Sequence, residues 1–343
     1  KRRTVIMFDD MENKDKPMVS IQCLVYNHEP YLRQCLDGIV MQKTNFHFEA
    51  IVHDDCSTDG SRKIIEEYGA KYPDIIKPIY EKENQYSKKD GSLRRILNAH
   101  LTGKYIALCE GDDYWIDPLK LQKEVDYLEI HQNVGMCFTN FDVKYEETGF
   151  VKKSALTNYQ DQYPHQYDLK QWIAHPGYIG PMTWLTRNEL WKSVPKIPSS
   201  DGTYVLVAHF IQSGKIHCLI DETTAVYRSN KGSITQSNSF KVQYWQKLNF
   251  YYAKIALADW YYPNSDFAEN LRNKTYAVFF NNSYAKKILS YGSEKDIALL
   301  EQHFSSLSLV NKVLFLVCKS SIIRKLFKKV YLALVHKKTH FEV

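Results

Sequence analysis

The sequence predicts an α/β fold: a mostly parallel central sheet flanked by helices, followed by a helical C-terminal region. Three observations carry that reading. Short apolar runs of strand length alternate with segments of helical period through about residue 130. Acidic or polar clusters stand at the carboxyl ends of the runs, where open parallel sheets bind ligands. Beyond residue 240 the apolar spacing is helical, and no internal repeat is apparent.

The elements follow in order. Residues 1–17 are charged and aperiodic and read as a loose arm. Met18–Val25 is an apolar strand ending at Tyr26-Asn27-His28-Glu29, and Tyr31, Leu32, Cys35, Leu36, Ile39 and Val40 recur at helical spacing. Phe48–His53 is a second strand. It runs into Asp54-Asp55-Cys56-Ser57-Thr58-Asp59-Gly60-Ser61, a composition of loop and helix N-cap. A helix over about 61–71, a strand over 75–80, a helix over 93–101 and a strand over 104–109 complete the alternation. That last strand ends in Glu110-Gly111-Asp112-Asp113. Farther on, a helix over 118–131, strands over 135–142 and 180–186, a helix near 201–213 and a strand over 215–227 are expected. Helices follow over 244–260, 267–290 and 294–304, with a basic apolar tail from Val310. The expected domains are the arm over 1–17, an α/β domain over 18–235 that divides near 115 and a helical region over 236–343.

Composition excludes several classes. With 44% apolar and 24% charged residues among 343, the chain can bury a core and is not disordered. No run approaches the ~18 apolar residues of a membrane span, and no apolar run with a cleavage site follows Lys1-Arg2-Arg3-Thr4, so no secretory signal is expected. The net charge of +6 is uneven. Eight basic residues and no acid lie between Gln302 and Phe341, which leaves 37 basic against 39 acidic residues elsewhere. The positive charge belongs to a tail, so nucleic acid is not an expected partner. The seven cysteines form no C-x-x-C pair and fit buried free thiols in a reducing compartment.

The chemistry centres on Glu110-Gly111-Asp112-Asp113. Three carboxylates within four positions repel one another unless a cation neutralises them, and hard oxygen ligands suit Mg²⁺ or Mn²⁺. The alternative is a solvated acidic turn, with Asp117-Pro118 capping the next helix. Asp54-Asp55 is a second acidic strand end, read alone as an N-cap. Two such ends on one sheet edge converge on the crevice where a nucleotide could be gripped.

At this point the residues resemble a family. Val19-Ser20-Ile21, Tyr26-Asn27, Tyr31-Leu32 and Leu36, then Glu49 through Ser61 with Asp54-Asp55 and Ser57-Thr58-Asp59-Gly60, then Gly103 through Asp113, are similar in order and spacing to family 2 glycosyltransferases of the GT-A fold, over roughly residues 18–130. The likeness weakens to about residue 235, and the last hundred residues match no feature of the family.

The resemblance implies a Rossmann-like GT-A domain and an inverting, metal-dependent transfer of sugar from a nucleotide-sugar donor. It implies that Leu24 and Tyr26 border the base and that Asp55 hydrogen-bonds it, with uracil or thymine as its partner. Glu110, Asp112 and Asp113 would be the D-x-D-type cluster, with Asp112 or Asp113 holding Mn²⁺ or Mg²⁺ and a neighbour on the ribose. Asp201 would be the catalytic base. A carboxylate that deprotonates the acceptor hydroxyl opposite a departing diphosphate needs no covalent intermediate. The sequence departs from the family pattern at Cys56, where glycine is usual, at Leu24-Val25, where a Pro-Thr pair is frequent, and at Asn230, where relatives place a metal- or diphosphate-binding His. Arg94, Arg95 and Arg228 are candidates for the diphosphate, the first two with surface solvation as the alternative. Trp115, His175 and Trp184 are acceptor-side candidates, with ordinary packing as the alternative reading.

The setting expected from the tail and the resemblance is synthesis of a bacterial surface polysaccharide or a lipid-linked oligosaccharide, on the cytoplasmic face of the membrane. Ile323, Leu326, Phe327, Val330 and Leu334 alternate with Arg324, Lys325, Lys328 and Lys329 as in a basic amphipathic helix. The tail over 310–338 would then meet an anionic membrane surface, with a helix break near Ser320-Ser321. The alternative is that its apolar face packs on the fold or on a second copy of the chain. Other functions weighed are a non-catalytic nucleotide-sugar-binding module, a protein glycosyltransferase, and a nucleotidyl or phosphoryl transferase, the last disfavoured by the lack of a G-x-x-x-x-G-K-[ST] loop.

Overall fold

A computed structural model describes residues 16–157, 168–197, 202–230, 240–279, 282–302, 304–320 and 322–330. They form two compact units: of the described residues, 16–196 and 202–230 belong to the first, and 197 with those from 240 onward to the second.

The first unit is built on a nine-stranded sheet. Its strands are β1 (Val19–Val25), β2 (Phe48–Asp54), β3 (Ile76–Tyr80), β4 (Tyr105–Leu108), β5 (Tyr114–Trp115), β6 (Val134–Tyr145), β7 (Val151–Lys152), β8 (Trp184–Arg187) and β9 (Lys215–Ser229). The order is β3-β2-β1-β4-β8-β6-β9-β5, with β7 on β6. β3, β2, β1 and β4 are mutually parallel, as expected. Beyond β4 the sheet is mixed: β8 runs antiparallel to both β4 and β6, and β9 parallel to β6. The 3₁₀ turn Pro181–Thr183 delivers the chain into β8 without the helical crossover that a parallel strand needs.

β1 is buried along almost its whole length, as a central parallel strand must be. The following helix α1 (Glu29–Val40) has a proline in its first turn and buries Leu32, Cys35, Leu36 and Ile39, one face at helical period. Its backbone approaches β5 closely: a Cβ on Gly38 would lie 2.8 Å from the Trp115 carbonyl oxygen. The helices α2 (Ser61–Lys71), α3 (Gln85–Lys88), α4 (Ser92–His100), α5 (Lys120–Ile130), α6 (Leu169–Ala174), α7 (Asn188–Lys192) and α8 (Gly202–Ser213) complete the unit. The chain adds β2 and β3 on one side of β1 and then β4 on the other. The strand order therefore reverses at β1 and β4, which opens a crevice beyond their carboxyl ends. All seven cysteines are free thiols, six of them buried. Cys35 Sγ lies 3.9 Å from Cys23 Sγ and 3.7 Å from Cys109 Sγ.

The second unit is helical: α9 (Phe240–Tyr261), α10 (Asp266–Phe279), α11 (Asn282–Tyr291), α12 (Glu294–Gln302) and α13 (Leu309–Val317), then a helix over 322–330. Leu248, Ala285, Ile288, Leu289, Leu300, Leu307, Phe315 and Cys318 form its core. The expected break in the tail falls at a turn over 318–320. Two residues of the tail differ from the amphipathic pattern. Phe327 packs against the helical core, and the Arg324 guanidinium reaches Glu294 at 2.9 Å. Leu334, Lys337 and Lys338 lie outside the described residues.

One buried ion pair stands out in the first unit. Lys120 Nζ donates to Glu124 Oε2 at 2.5 Å, both side chains are fully buried, and the ammonium lies 4.7 Å from the Trp115 ring centre. Desolvation, opposed by Lys120, pushes Glu124 up to about 7. An unfolded glutamate titrates near 4.3, so the native carboxyl holds a proton that the unfolded chain releases. Its favourable contribution is complete below the unfolded value and is lost as pH rises through about 7. Lys120→Met should cost ~3–5 kcal/mol above pH ~7 by stranding the carboxylate, and less in acid, where that carboxyl protonates. Adding Glu124→Leu should recover most of the loss. Urea unfolding at the two pH values checks both.

Candidate active site

The crevice at β1 and β4 is closed by backbone. Gly111 N–H donates to the Leu24 carbonyl at 2.9 Å, and Asp55 N–H to the Val25 carbonyl at 2.9 Å. These bonds bring Leu24, Asp55 and the Glu110–Asp113 loop together. Only glycine fits at 111, because a Cβ would lie 2.7 Å from His28 Nδ1 and 3.1 Å from Val25 Cγ2.

The loops after β1 and β2 are laced to each other. Asn27 N–H donates to Ser57 Oγ (3.0 Å), while Asn27 Oδ1 accepts from Thr58 N–H (2.7 Å). His28 N–H donates to Ser61 Oγ (2.9 Å) and Glu29 N–H to Asp59 Oδ2 (3.0 Å). Glu29 Oε2 accepts from Gly60 N–H (2.7 Å). Cys56 adopts φ +67°, the left-handed conformation that favours glycine, so the backbone keeps its turn despite the Cβ.

Asp55 is 5% exposed, and both carboxylate oxygens are engaged at the start of α3: Oδ1 accepts from Gln85 N–H (2.6 Å) and Oδ2 from Tyr86 N–H (3.0 Å). Asp55 thus binds the first two N–H groups of α3, whose N-cap is Asn84, and does not cap the helix that follows it in sequence. Tyr26 is exposed and Leu24 partly so at the same strand end.

The acidic loop is pinned at three points. Besides the Gly111 bond, Cys35 Sγ–H donates to the Glu110 carbonyl (3.4 Å), and Asp113 Oδ1 accepts from Arg228 N–H (2.8 Å). Asp113 is buried, Asp112 is partly exposed, and Glu110 is open to solvent on one side though surrounded by protein on the others. Desolvation and then the Asp112 charge push Glu110 up to about 7, a rise that its solvent access partly screens. The same two causes hold Asp113 well above the usual carboxylate range, opposed by its bond from Arg228. His28 was not singled out by the sequence argument. Its Nδ1 is buried without a partner against Gly111, and burial lowers its pKa below 6.5 while Asp112 and Asp59 oppose that shift. The available signal was its place in Tyr26-Asn27-His28 at the first strand end.

Several expected roles meet a different geometry. Arg228 is 3% exposed and held within the protein. Its Nη1 donates to Glu146 Oε1 (2.5 Å) and its Nη2 to Gln34 Oε1, and its guanidinium lies over the Tyr31 and Tyr114 rings at 5.1 and 4.5 Å. It braces the loop and presents no open face to a diphosphate. Arg94 turns to the Trp191 and Val194 carbonyls, and Arg95 to the Asp90 carbonyl. Trp115 is 2% exposed and donates to the Met182 carbonyl at 2.8 Å, so its ring cannot stack on a sugar. Trp184 is fully buried, edge-on to Phe210. His175 is exposed at the end of α6. Asn230 is buried two residues past Arg228, and Asp201 lies outside the described residues.

Among the described residues, no three His, Cys, Asp or Glu side chains are grouped to hold a metal ion by themselves. The acidic loop fits a different arrangement. Mg²⁺-like ions commonly take one or two carboxylates and complete their shell with phosphate and water. Glu110 and Asp113 carry repulsion from Asp112, which a cation would relieve, and Asp113 retains a second oxygen beside the one bound to Arg228.

The strand-order crevice with two acidic strand ends defines the class of fold as an open α/β sheet domain, and comparison with known proteins makes the class specific. The family described as "Glycosyl transferase family 2" matches residues 20–193, just over half of the chain. The chain belongs to that family. The uncharacterized protein Rv1520 of Mycobacterium tuberculosis strain H37Rv is 45% identical over 129 residues, 38% of this chain and 36% of that protein. The matched segment thus spans about a third of that relative's length. TarS 1–349 of S. aureus, solved in complex with UDP-GlcNAc, superposes with a TM-score of 0.56 at 16% identity, covering 92% of this chain and 91% of that one. The mannosyltransferase PcManGT of Pyrobaculum calidifontis, solved with GDP-Man and Mn²⁺, gives 0.51 at 15% identity, with coverage of 91% and 87%. These likenesses bear out the GT-A fold expected from the motifs.

In Asp112→Asn the like charge next to Glu110 is gone, so the Glu110 carboxyl should titrate below about 7. Carboxyl ¹³C shifts followed against pH measure this. An unchanged midpoint would mean that desolvation alone sets it.

Proposed function

We propose that the chain is an inverting glycosyltransferase that moves a sugar from a UDP- or dTDP-sugar to an acceptor hydroxyl. The observation that carries this reading is the acidic loop held beside Asp55 across the strand-order crevice. Family membership and neighbours solved with UDP-GlcNAc or GDP-Man support it. Residues 18–115 take the nucleotide and 116–235 the acceptor side.

Leu24 and Tyr26 flank the base, and Asp55 meets its edge while fixing the start of α3. Asp112, Asp113 and Asn230 are the residues that would hold Mn²⁺ or Mg²⁺. That ion would neutralise the diphosphate as it departs. Glu110 and its neighbours contact the ribose side. Asp201 takes the proton from the acceptor hydroxyl as it attacks opposite the diphosphate, which inverts the anomeric centre in one displacement. The acceptor is a glycan or a lipid-linked oligosaccharide of a bacterial surface polysaccharide, met at the inner face of the cytoplasmic membrane. No helix among the described residues is long and apolar enough to cross that membrane.

Thermal shift with UDP and dTDP, with and without Mn²⁺, tests donor binding, since a ligand of the native state raises the melting temperature. Asp112→Asn and Asp113→Asn should each weaken the Mn²⁺-dependent shift. Unchanged nucleotide affinity in both would refute the metal assignment. Asp201→Asn should keep donor binding and lose transfer by roughly 10²–10⁴-fold. Donor binding by the wild type with neither transfer nor donor hydrolysis would instead mark a binding module.

A further inference from the structure

The C-terminal helices carry apolar residues on two faces, and the core accounts for only one. In α13 the inner face buries Asn311 and Phe315, and Cys318 just after the helix is buried as well. The outer face presents Leu309, Val310, Val313, Leu316 and Val317, each between 52% and 78% exposed. Their spacing of one, three, three and one places them in a single stripe two turns long. The helix over 322–330 repeats the arrangement. Phe327 packs on the core, while Ile322, Leu326 and Val330 are 78%, 64% and 53% exposed. Scattered exposed apolar side chains are ordinary, but two consecutive helices with such stripes are a surface that something covers.

The charge around the stripes points to the occupant. Lys325, Lys328 and Lys329 are exposed on the second of these helices and Lys319 on the turn between them, and no acid occurs from Gln302 to Phe341. Lys319 pairs with Glu301 across a solvated surface, which leaves its charge largely effective. A two-fold contact with a second copy would set these lysines against themselves. Nucleic acid would leave the apolar stripes without a partner. Residues 331–343 bring further Leu, Val and Lys and would extend the surface's composition without neutralising it.

We propose that the outer face of α13, together with the helix over 322–330, docks in the interface of an anionic lipid bilayer, with the apolar stripes among the upper acyl carbons and the lysines at the headgroups. The stripe on α13 is distinct from the amphipathic face expected in the tail, and its residues would carry the contact. The proposal rests on the transferase reading for its purpose, a membrane-borne acceptor, and not for its observations.

The test is flotation of the full chain with vesicles of phosphatidylcholine alone and of phosphatidylcholine with phosphatidylglycerol. The wild type should float with the anionic vesicles at low salt and be released at high salt, because exposed charges are screened. Leu309→Asp with Leu316→Asp should reduce the bound fraction about tenfold or more, and Lys325→Glu with Lys329→Glu should act in the same direction. Circular dichroism and the UDP thermal shift, run on the same samples, should match wild type. Wild type that stays soluble on anionic vesicles, or a Leu309/Leu316 variant that floats equally well, overturns the docking face. So does a wild-type dimer in sedimentation velocity that the same variant dissociates, because a second copy would then be the occupant. Flotation without any nucleotide binding would refute the transferase reading and leave the docking face standing.

Discussion

The site depends on one hydrogen bond between distant parts of the chain: the buried carboxylate of Asp113 accepts the backbone N–H of Arg228 at 2.8 Å. It joins the end of the acidic loop to the end of β9, where Tyr114 and Trp115 begin their antiparallel pairing with Val226 and Ala225. A buried carboxylate without donors would be expensive, and a charge-assisted bond to a backbone N–H lowers that cost at a fixed geometry. The side chain of the same arginine finishes the joint. It reaches Glu146 at the end of β6 and Gln34 on α1, and it lies over Tyr31 and Tyr114. One residue thus holds α1, β5, β6 and β9 around the loop. Asp112 is left as the loop's partly exposed aspartate.

The first two motifs are one structure written in two places. Asn27, His28 and Glu29 exchange hydrogen bonds with Ser57, Thr58, Asp59, Gly60 and Ser61. Asn27 Oδ1, Glu29 Oε2, Ser57 Oγ, Asp59 Oδ2 and Ser61 Oγ each accept a backbone N–H of the opposite loop, so the two loops support each other directly. Left-handed backbone at Asn27 and Cys56 aims the two turns at each other. Such lacing shapes the crevice wall before any ligand enters, and it explains why these residue types occur together at the ends of β1 and β2.

The alternation of strands and helices and the acidic strand ends were legible in the sequence because their causes are local. Burial of β1 on both faces goes with apolar residues at Val19, Ile21, Cys23, Leu24 and Val25, and α1 buries every third or fourth residue. What lay beyond sequence reasoning was set by partners far along the chain. Arg228 reads as a phosphate ligand until Glu146 and Gln34 are seen to hold it, the latter 194 residues away. Trp115 beside an acidic cluster reads as a sugar platform, but the close backbone approach of Gly38 and the Met182 carbonyl fix it inside the core. Asp55 reads as the cap of the next helix, but its carboxylate binds the first N–H groups of α3, which follows β3 where β3 pairs beside β2. The direction of β8 was equally hidden, because four residues of strand carry no mark of polarity.

Charge balance connects this architecture to what the crevice can accept. The fold crowds Glu110, Asp112 and Asp113 at one strand end, and desolvation first and the Asp112 charge second make Glu110 and Asp113 resist ionisation. Arg228, whose backbone N–H binds Asp113, is already engaged with Glu146 through its side chain. A diphosphate arriving alone would add negative charge beside carboxylates that are already crowded, at a cost that grows as solvent is excluded. Two entities can offset that cost, protons on the carboxyls or a cation shared between carboxylate and phosphate. They compete for the same oxygens, because a ligand carboxyl must lose its proton to bind a metal ion. A protonated loop would bind the nucleotide without polarising its leaving group, whereas a cation would do both. On the proposed reading, the acidic crowding that is costly to the empty fold would be offset when positive charge arrives together with the phosphates.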